Sequence, residues 1–250
     1  MLRSLKVLAL ASLVLARAGT ATAQQPLPDG RTVINRFIDA IGGREAILRQ
    51  GDRHVTGRFE IPAQGLAGDL EVFAQPPDKL LVKVTLAGIG VVLNGFDGTT
   101  GWGVNPMMGP MVLDSLQLRQ MKQQADFYSS LYPETQITAL ETVAEESYEG
   151  ATCYKVKVVT TWGEEYFEYF DTTTSLQVGS VRSQASPMGN VEVTTTSSDW
   201  RDVDGLKVPF KSVQRTMGIE QVITVTTVET ADIPDSVFAL PPEIQALVKK

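Results

Sequence analysis

Between Asp29 and Ile41 the apolar residues Val33, Ile34, Phe37, Ile38 and Ile41 recur at helical spacing, with Asp29 or Thr32 as N-cap and Gly42-Gly43 as the stop. The spacing predicts an amphipathic helix over 29–41, with a further helical turn from Arg44 to Arg49. From Val55 the period drops to two: Val55, Gly57, Phe59 and Ile61 alternate with Thr56, Arg58 and Glu60, as in a half-buried strand. Similar runs at 69–75, 79–87 and 89–94 are separated by Pro62, Gly65 to Gly68, Pro76-Pro77-Asp78 and Gly88. Turn residues at such regular intervals predict a meander of short strands.

The pattern changes again at 112–132. Arg119, Lys122, Gln123, Asp126 and Ser130 form one narrow polar stripe, and Leu113, Leu116, Met121, Ala125, Phe127, Tyr128, Leu131 and Tyr132 fill a wide apolar arc. This reads as one helix covered by protein on most of its circumference and ended by Pro133. Strands are then predicted at 137–144, 151–160, 165–170, 175–185, 191–199, 206–216 and 219–230, with connections short enough to make neighbours antiparallel. No repeat or low-complexity linker divides the chain, so residues 24–250 are expected to form a single, mainly β domain of the α+β class.

The first residues bear on compartment. Arg3 and Lys6 precede an apolar run from Val7 to Leu15, and Ala21-Thr22-Ala23 closes the segment, which is the layout of a signal peptide over 1–23. The run is shorter than the ~20 residues of a membrane-spanning helix, so the expected product is a periplasmic or secreted protein, not an integral membrane protein. Loss of 1–23 would move the formal charge from -7 to -10. An acidic surface repels phosphate backbones, which argues against nucleic acid as a partner.

Candidate chemistry is sparse. His54 is the sole histidine and Cys153 the sole cysteine, which excludes multi-histidine or Cys/His metal sites and any intramolecular disulfide. Cys153 is expected as a small buried side chain within a strand, and His54 as a solvated loop residue. Glu164, Glu165 and Glu168, or Glu141, Glu145 and Glu146, could in principle supply a glycosidase pair. Glu164 and Glu168 share one strand face opposite Phe167 and Tyr169, however, which reads as a solvated outer face. No nucleophile elbow or phosphate-binding glycine loop occurs. A binding protein without a cofactor, rather than an enzyme, is therefore expected.

The segment 95–111 reads as a loop that combines turn residues with Trp102, Met107, Met108 and Met111, an apolar set that suits either contact with ligands of variable shape or plugging of the sheet's open end. The order of elements, with Ile41-Gly42-Gly43, Pro76-Pro77-Asp78-Lys79, Gly95-Phe96-Asp97-Gly98, Gly101-Trp102 and a closing Val237-Phe238, resembles the outer-membrane lipoprotein-sorting (LolA/LolB-like) superfamily, in a bacterial branch distinct from the true carriers. The resemblance implies a strongly curved antiparallel sheet, an incomplete β-barrel, covered by a few helices around a cavity for acyl chains. It also implies roles in lipid or lipoprotein trafficking, or in envelope sensing through a protein partner with the pocket filled by its own side chains. On this reading a hydrophobic, lipid-like ligand is lined by the strand residues Phe59, Phe73, Val82, Val84, Leu93 and Phe167. Trp102, Met107, Met108 and Met111 form the rim, and Leu116, Phe127 and Leu131 the helical lid.

Overall fold

The computed structural model describes residues 26–186 and 189–249, so the signal segment expected at 1–23 lies outside the described residues. Helix α1 (Gly30–Ala40) and the short α2 (Arg44–Leu48) precede six strands: β1 (Arg53–Ile61), β2 (Leu66–Gln75), β3 (Lys79–Leu86), β4 (Gly90–Phe96), β5 (Gly101–Asn105) and β6 (Gly109–Val112). Helix α3 (Ser115–Ala125) and a 3-10 turn (Ser129–Leu131) follow. The second series comprises β7 (Ile137–Tyr148), β8 (Ala151–Thr160), β9 (Glu165–Asp171), β10 (Gln177–Ser186), β11 (Gly189–Val203), β12 (Leu206–Thr216) and β13 (Ile219–Thr230). A second 3-10 turn (Asp235–Phe238) and α4 (Pro242–Val248) end the described chain.

All thirteen strands form one antiparallel sheet, in which β1 pairs with β13 at the centre and β6 and β7 are the two edges. The sheet does not close into a barrel. The chain thus runs from the centre to one edge, crosses to the other through α3, and returns strand by strand. The predicted strands over 206–216 and 219–230 coincide with β12 and β13.

The crossing helix shows how strongly the sheet bends. Met121 and Ala125 of α3 pack with Leu80 of β3 and Phe96 of β4. From the same helix the Gln120 side-chain amide donates to Glu164 Oε1 at 3.0 Å and to the Ser183 carbonyl of β10 at 3.1 Å. Gln123 Nε2 donates to the Tyr166 hydroxyl of β9 at 3.0 Å. Strands β4 and β10 stand seven places apart in the sheet, roughly 34 Å if it were flat. An eleven-residue helix, about 16 Å long and ~11 Å across, can touch both only if the sheet curls around it.

The face that α3 covers is therefore the inner one. Helix α1 packs over the other half of this face, where Ile34 and Phe37 meet Val156 and Val158 of β8 and Phe170 of β9. The approach is close: a Cβ at Gly30 would collide with the Leu140 and Glu141 backbone of β7. On the outer face the C-terminal segment brings Ile233, Phe238 and Ile244 onto Leu81 and Trp102.

Two expectations need correction. The helix foreseen over 112–132 stops at Ala125, because Asp126 turns to extended backbone (φ -61°, ψ 109°) and its carboxylate accepts from the Tyr128 N–H at 2.9 Å. The Phe127 N–H then donates to the Pro77 carbonyl, which ties the turn to the β2–β3 connection. The apolar segment 95–111, foreseen as a loop, forms the end of β4 and the β5–β6 hairpin, so its tryptophan is a strand residue.

Phe170 is fully buried where α1 meets β9. Phe170→Ala is expected to lower unfolding free energy by ~3–5 kcal/mol, measured by urea denaturation.

Candidate functional site

Directly opposed residues in an antiparallel pair point to the same side, so the register divides the inner face into two zones. The first is apolar. Val55 and Phe59 of β1, Val72 of β2, Val82 and Val84 of β3 and Val92 of β4 lie on this side, together with Ile223 and Val225 of β13. All but Val84 are only half-buried, because α3 covers the end of the zone near Phe96 and leaves its middle open.

The second zone is polar and begins within two strands of the first. Phe59 opposes Ile223, Ile223 opposes Ser212, and two residues on Gln221 opposes Gln214. Register then carries the inner side through Thr195 of β11, Ser180 and Arg182 of β10, and Tyr166 and Glu168 of β9. With α3 above and the 129–136 segment as a wall, these strands enclose a cavity of about 570 Å³. That volume lies within the ~300–1,000 Å³ of small-molecule sites.

Glu168 sits at the base of this cavity with its side chain 7% exposed. The Tyr132 hydroxyl donates to Glu168 Oε2. An Arg182 guanidinium nitrogen stands 3.9 Å from Glu168 Oε1, while the guanidinium carbon lies 4.1 Å from the centre of the Tyr166 ring. Desolvation pushes the Glu168 carboxyl above its ordinary range, with Arg182 and the bonds from Tyr132 and Gln177 opposing that shift. Burial, and then the facing carboxylate, raise the Tyr132 hydroxyl well above the usual phenol range. The expectation that Glu168 belongs to a solvated outer face is thus overturned. It has the parity of Tyr166 and Phe170, both core residues, and Phe167 takes the outer position.

No protein-family model matches the sequence, and no curated protein does. Solved structures do match in shape. A LolA superfamily protein from Nitrosomonas europaea superposes with a TM-score of 0.56 at 13% identity, over 86% of this chain and 99% of its own. The fold is LolA-like. A DUF1329 family protein from Desulfovibrio piger gives 0.57 at 10% identity, over 85% and 98% of the two chains. A putative outer membrane lipoprotein-sorting protein domain from Vibrio parahaemolyticus gives 0.52 at 12%, over 87% and 100%. Among the described residues, no helix is long and apolar enough to cross a membrane.

Within the LolA-like trough, the residues singled out from sequence do not form one wall. Phe59, Val82 and Val84 lie on the inner face. Phe73, Leu93 and Trp102 have the opposite parity and pack against the C-terminal segment, leaving Trp102 2% exposed. Phe167 also points outward, with the Lys155 ammonium 4.7 Å from its ring centre. Leu131 is buried in the α1 core, while Leu116 on α3 and Phe127 after it are half-buried. Met107 and Met108 occupy the β5–β6 turn at 82% and 72% exposure, with Met111 on the β6 edge. His54 is a strand residue rather than a loop residue, stacked on Phe73 with ring centres 4.4 Å apart. Cys153 is fully buried, and desolvation pushes its thiol up to about 11.

The polar zone went unread in the sequence. Its signal was parity: in β9 the glutamate shares a side with Tyr166 and Phe170, and in β8 the opposed side carries Val156 and Val158.

A raised folded-state pKa at Glu168 gives a definite sign. The folded protein binds the extra proton more tightly than the unfolded chain does, so this contribution to stability is present below the ordinary carboxylate range and is lost as pH rises through the raised value. Glu168→Gln is expected to flatten that decline, measured as urea midpoints from pH 4 to pH 8 for both proteins.

Proposed function

We propose that the protein is a cell-envelope binding protein, periplasmic or secreted, that holds a hydrophobic, lipid-like ligand in the trough and performs no chemistry on it. The observation that carries this reading is the apolar zone of Val55, Phe59, Val72, Val82, Val92, Ile223 and Val225, which lines the inner face across five strands and is only half-covered by the protein's own elements. Each methylene that such a surface takes from water contributes ~0.8 kcal/mol, so a single acyl chain could be retained by burial alone. The LolA-like fold supports the reading, because it is shared with the putative outer membrane lipoprotein-sorting protein domain from Vibrio parahaemolyticus. The expected signal segment at 1–23 is consistent with the compartment.

Organic extraction of the purified protein followed by mass spectrometry is expected to release an acyl-bearing compound. Phe59→Glu, which sets a charge in the middle of the apolar zone, is expected to abolish that recovery and to weaken binding of a fluorescent fatty acid by about tenfold or more, a loss of at least ~1.4 kcal/mol. Extracts free of lipid, together with unchanged probe affinity in the variant, would reject the proposal.

The β5–β6 hairpin favours a second role, contact with an envelope protein. Met107 and Met108 project from its tip, and Met111 and Val112 are exposed on an edge strand. Exposed apolar side chains beside an unpaired strand edge are a common feature of docking surfaces. Replacing Met107 and Met108 with serine is expected to leave fatty-acid affinity unchanged while removing cross-links from that hairpin to envelope proteins in intact cells.

A further inference from the structure

A ligand that was only an acyl chain would leave the polar cavity unexplained, because hydrocarbon cannot satisfy amides. Seven glutamines line it, three of them (Gln120, Gln123 and Gln124) from α3, with Ser129, Ser130, Ser180 and Thr195 among the remaining lining residues. Side-chain amides and hydroxyls both donate and accept. Leaving such a group buried and unpaired costs ~1–3 kcal/mol. One such group is already present: Gln123 donates through Nε2 to Tyr166, and its Oε1 is buried without a partner.

The charge pattern narrows the ligand further. Among the described lining residues Arg182 is the sole cation and Glu168 the sole anion, and the two face each other. A phosphate entering here would gain one guanidinium and meet one carboxylate at the same point, with no second cation to decide the balance. An extended peptide also fits poorly. Strands β9 to β12 are hydrogen-bonded on both sides, so the cavity floor offers no unpaired backbone edge for strand addition. What the lining does match is a compact, uncharged molecule with hydroxyls on all sides and an apolar ring face. Tyr166 and Phe37 supply rings among the amides, and the Arg182 guanidinium, 32% exposed, has more N–H donors than Glu168 and Tyr166 use.

We propose that this cavity is a headgroup site for a sugar, so that the ligand of the trough is a glycolipid-like amphiphile with its chain on the apolar zone and its polyhydroxylated head among Gln123, Gln214, Arg182 and Glu168. This rests on the acyl-binding reading above and specifies the chemistry of the ligand's other end. The register places the two zones in contact, since Ile223 and Gln221 share one strand and one face.

Four chain-matched probes test it on the purified protein by calorimetry, each below its micelle concentration: dodecyl glucoside, dodecanol, dodecyl phosphate and an N-dodecanoyl dipeptide amide. Dodecyl glucoside is expected to bind at least ~10-fold more tightly than dodecanol, which corresponds to ~1.4 kcal/mol. Gln123→Leu and Gln214→Leu, on opposite walls, are each expected to erase most of that advantage with dodecanol affinity unchanged, and matching melting temperatures would certify both variants as folded. Equal affinity for glucoside and dodecanol would overturn the sugar site and leave acyl binding intact. Tighter binding of the phosphate or of the dipeptide amide would overturn it in favour of an anionic or a peptidic head. Failure of all four probes to bind would sink the acyl reading itself.

Discussion

An eleven-residue helix joins strands that stand seven places apart, and the trough depends on that span. Strands twist because of their chirality, and a large sheet coils as the twist accumulates, but coiling alone sets no radius. Here the radius is set by what α3 holds at each side: Met121 and Ala125 against Leu80 and Phe96, and Gln120 and Gln123 against the region of β9 and β10. Helix α1 fills the far half of the bend with Ile34 and Phe37. The rest of the inner face is only partly covered, and both zones of the trough lie there.

The two zones follow from how the sheet's faces are used. Near Leu80-Leu81 and Val72-Phe73, strands β2 and β3 are covered on both sides, by α3 within and by the Ile233–Ile244 segment without, so neighbouring positions there are apolar on both faces. Strands β10 to β12 meet α1 only near Trp200, Leu206 and Val208, and α3 only through amide contacts, so much of their inner side borders the cavity. Serine, threonine, glutamine and arginine fill the positions that line it. A polar inner wall is tolerable where water or a polar ligand can reach it. The change of character across β13 and β12 therefore marks where the trough stops being a surface for hydrocarbon.

Periodicity made the strands readable, and turn residues made their order readable. Val55 to Ile61 and Leu206 to Thr216 announced themselves by alternation and by the glycines and prolines around them. Face assignment was less legible, and the reason is physical. In Val72-Phe73 and in Leu80-Leu81 both faces are covered, and Val91-Val92-Leu93 is apolar at every position although Val91 is exposed, so alternation disappears and parity cannot be read from apolarity. Phe73, Leu93 and Trp102 accordingly lie outside the trough. Glu168 was misplaced for the converse reason: a charged residue in an aromatic strand looks solvated unless its partners are known, and Tyr132 and Arg182 are 36 and 14 residues away. The cavity volume and the long-range pairings that create it depend on curvature, which leaves no local trace in sequence.

Helix α3 illustrates the same point in a form that bears on mechanism. Its polar side would ordinarily mean solvent, and Arg119 and Lys122 do face solvent. Gln120 and Gln123 instead turn half-buried toward the cavity, which the exposed Gln124 also lines, so the helix borders the cavity as well as open water. Neutral amides suit that position. A lysine there would meet a desolvation penalty beside Arg182, and an additional carboxylate would add to the repulsion around Glu168, whose own charge is already disfavoured by burial. Because the same side chains bridge to Glu164, Ser183 and Tyr166, any displacement of α3 breaks hydrogen bonds at the polar wall and uncovers the apolar wall together. Access to the two ends of an amphiphile is thereby mechanically joined: a ligand that contacts both zones stabilises the closed position of α3 through two sets of contacts, whereas a ligand that fills one zone engages only one.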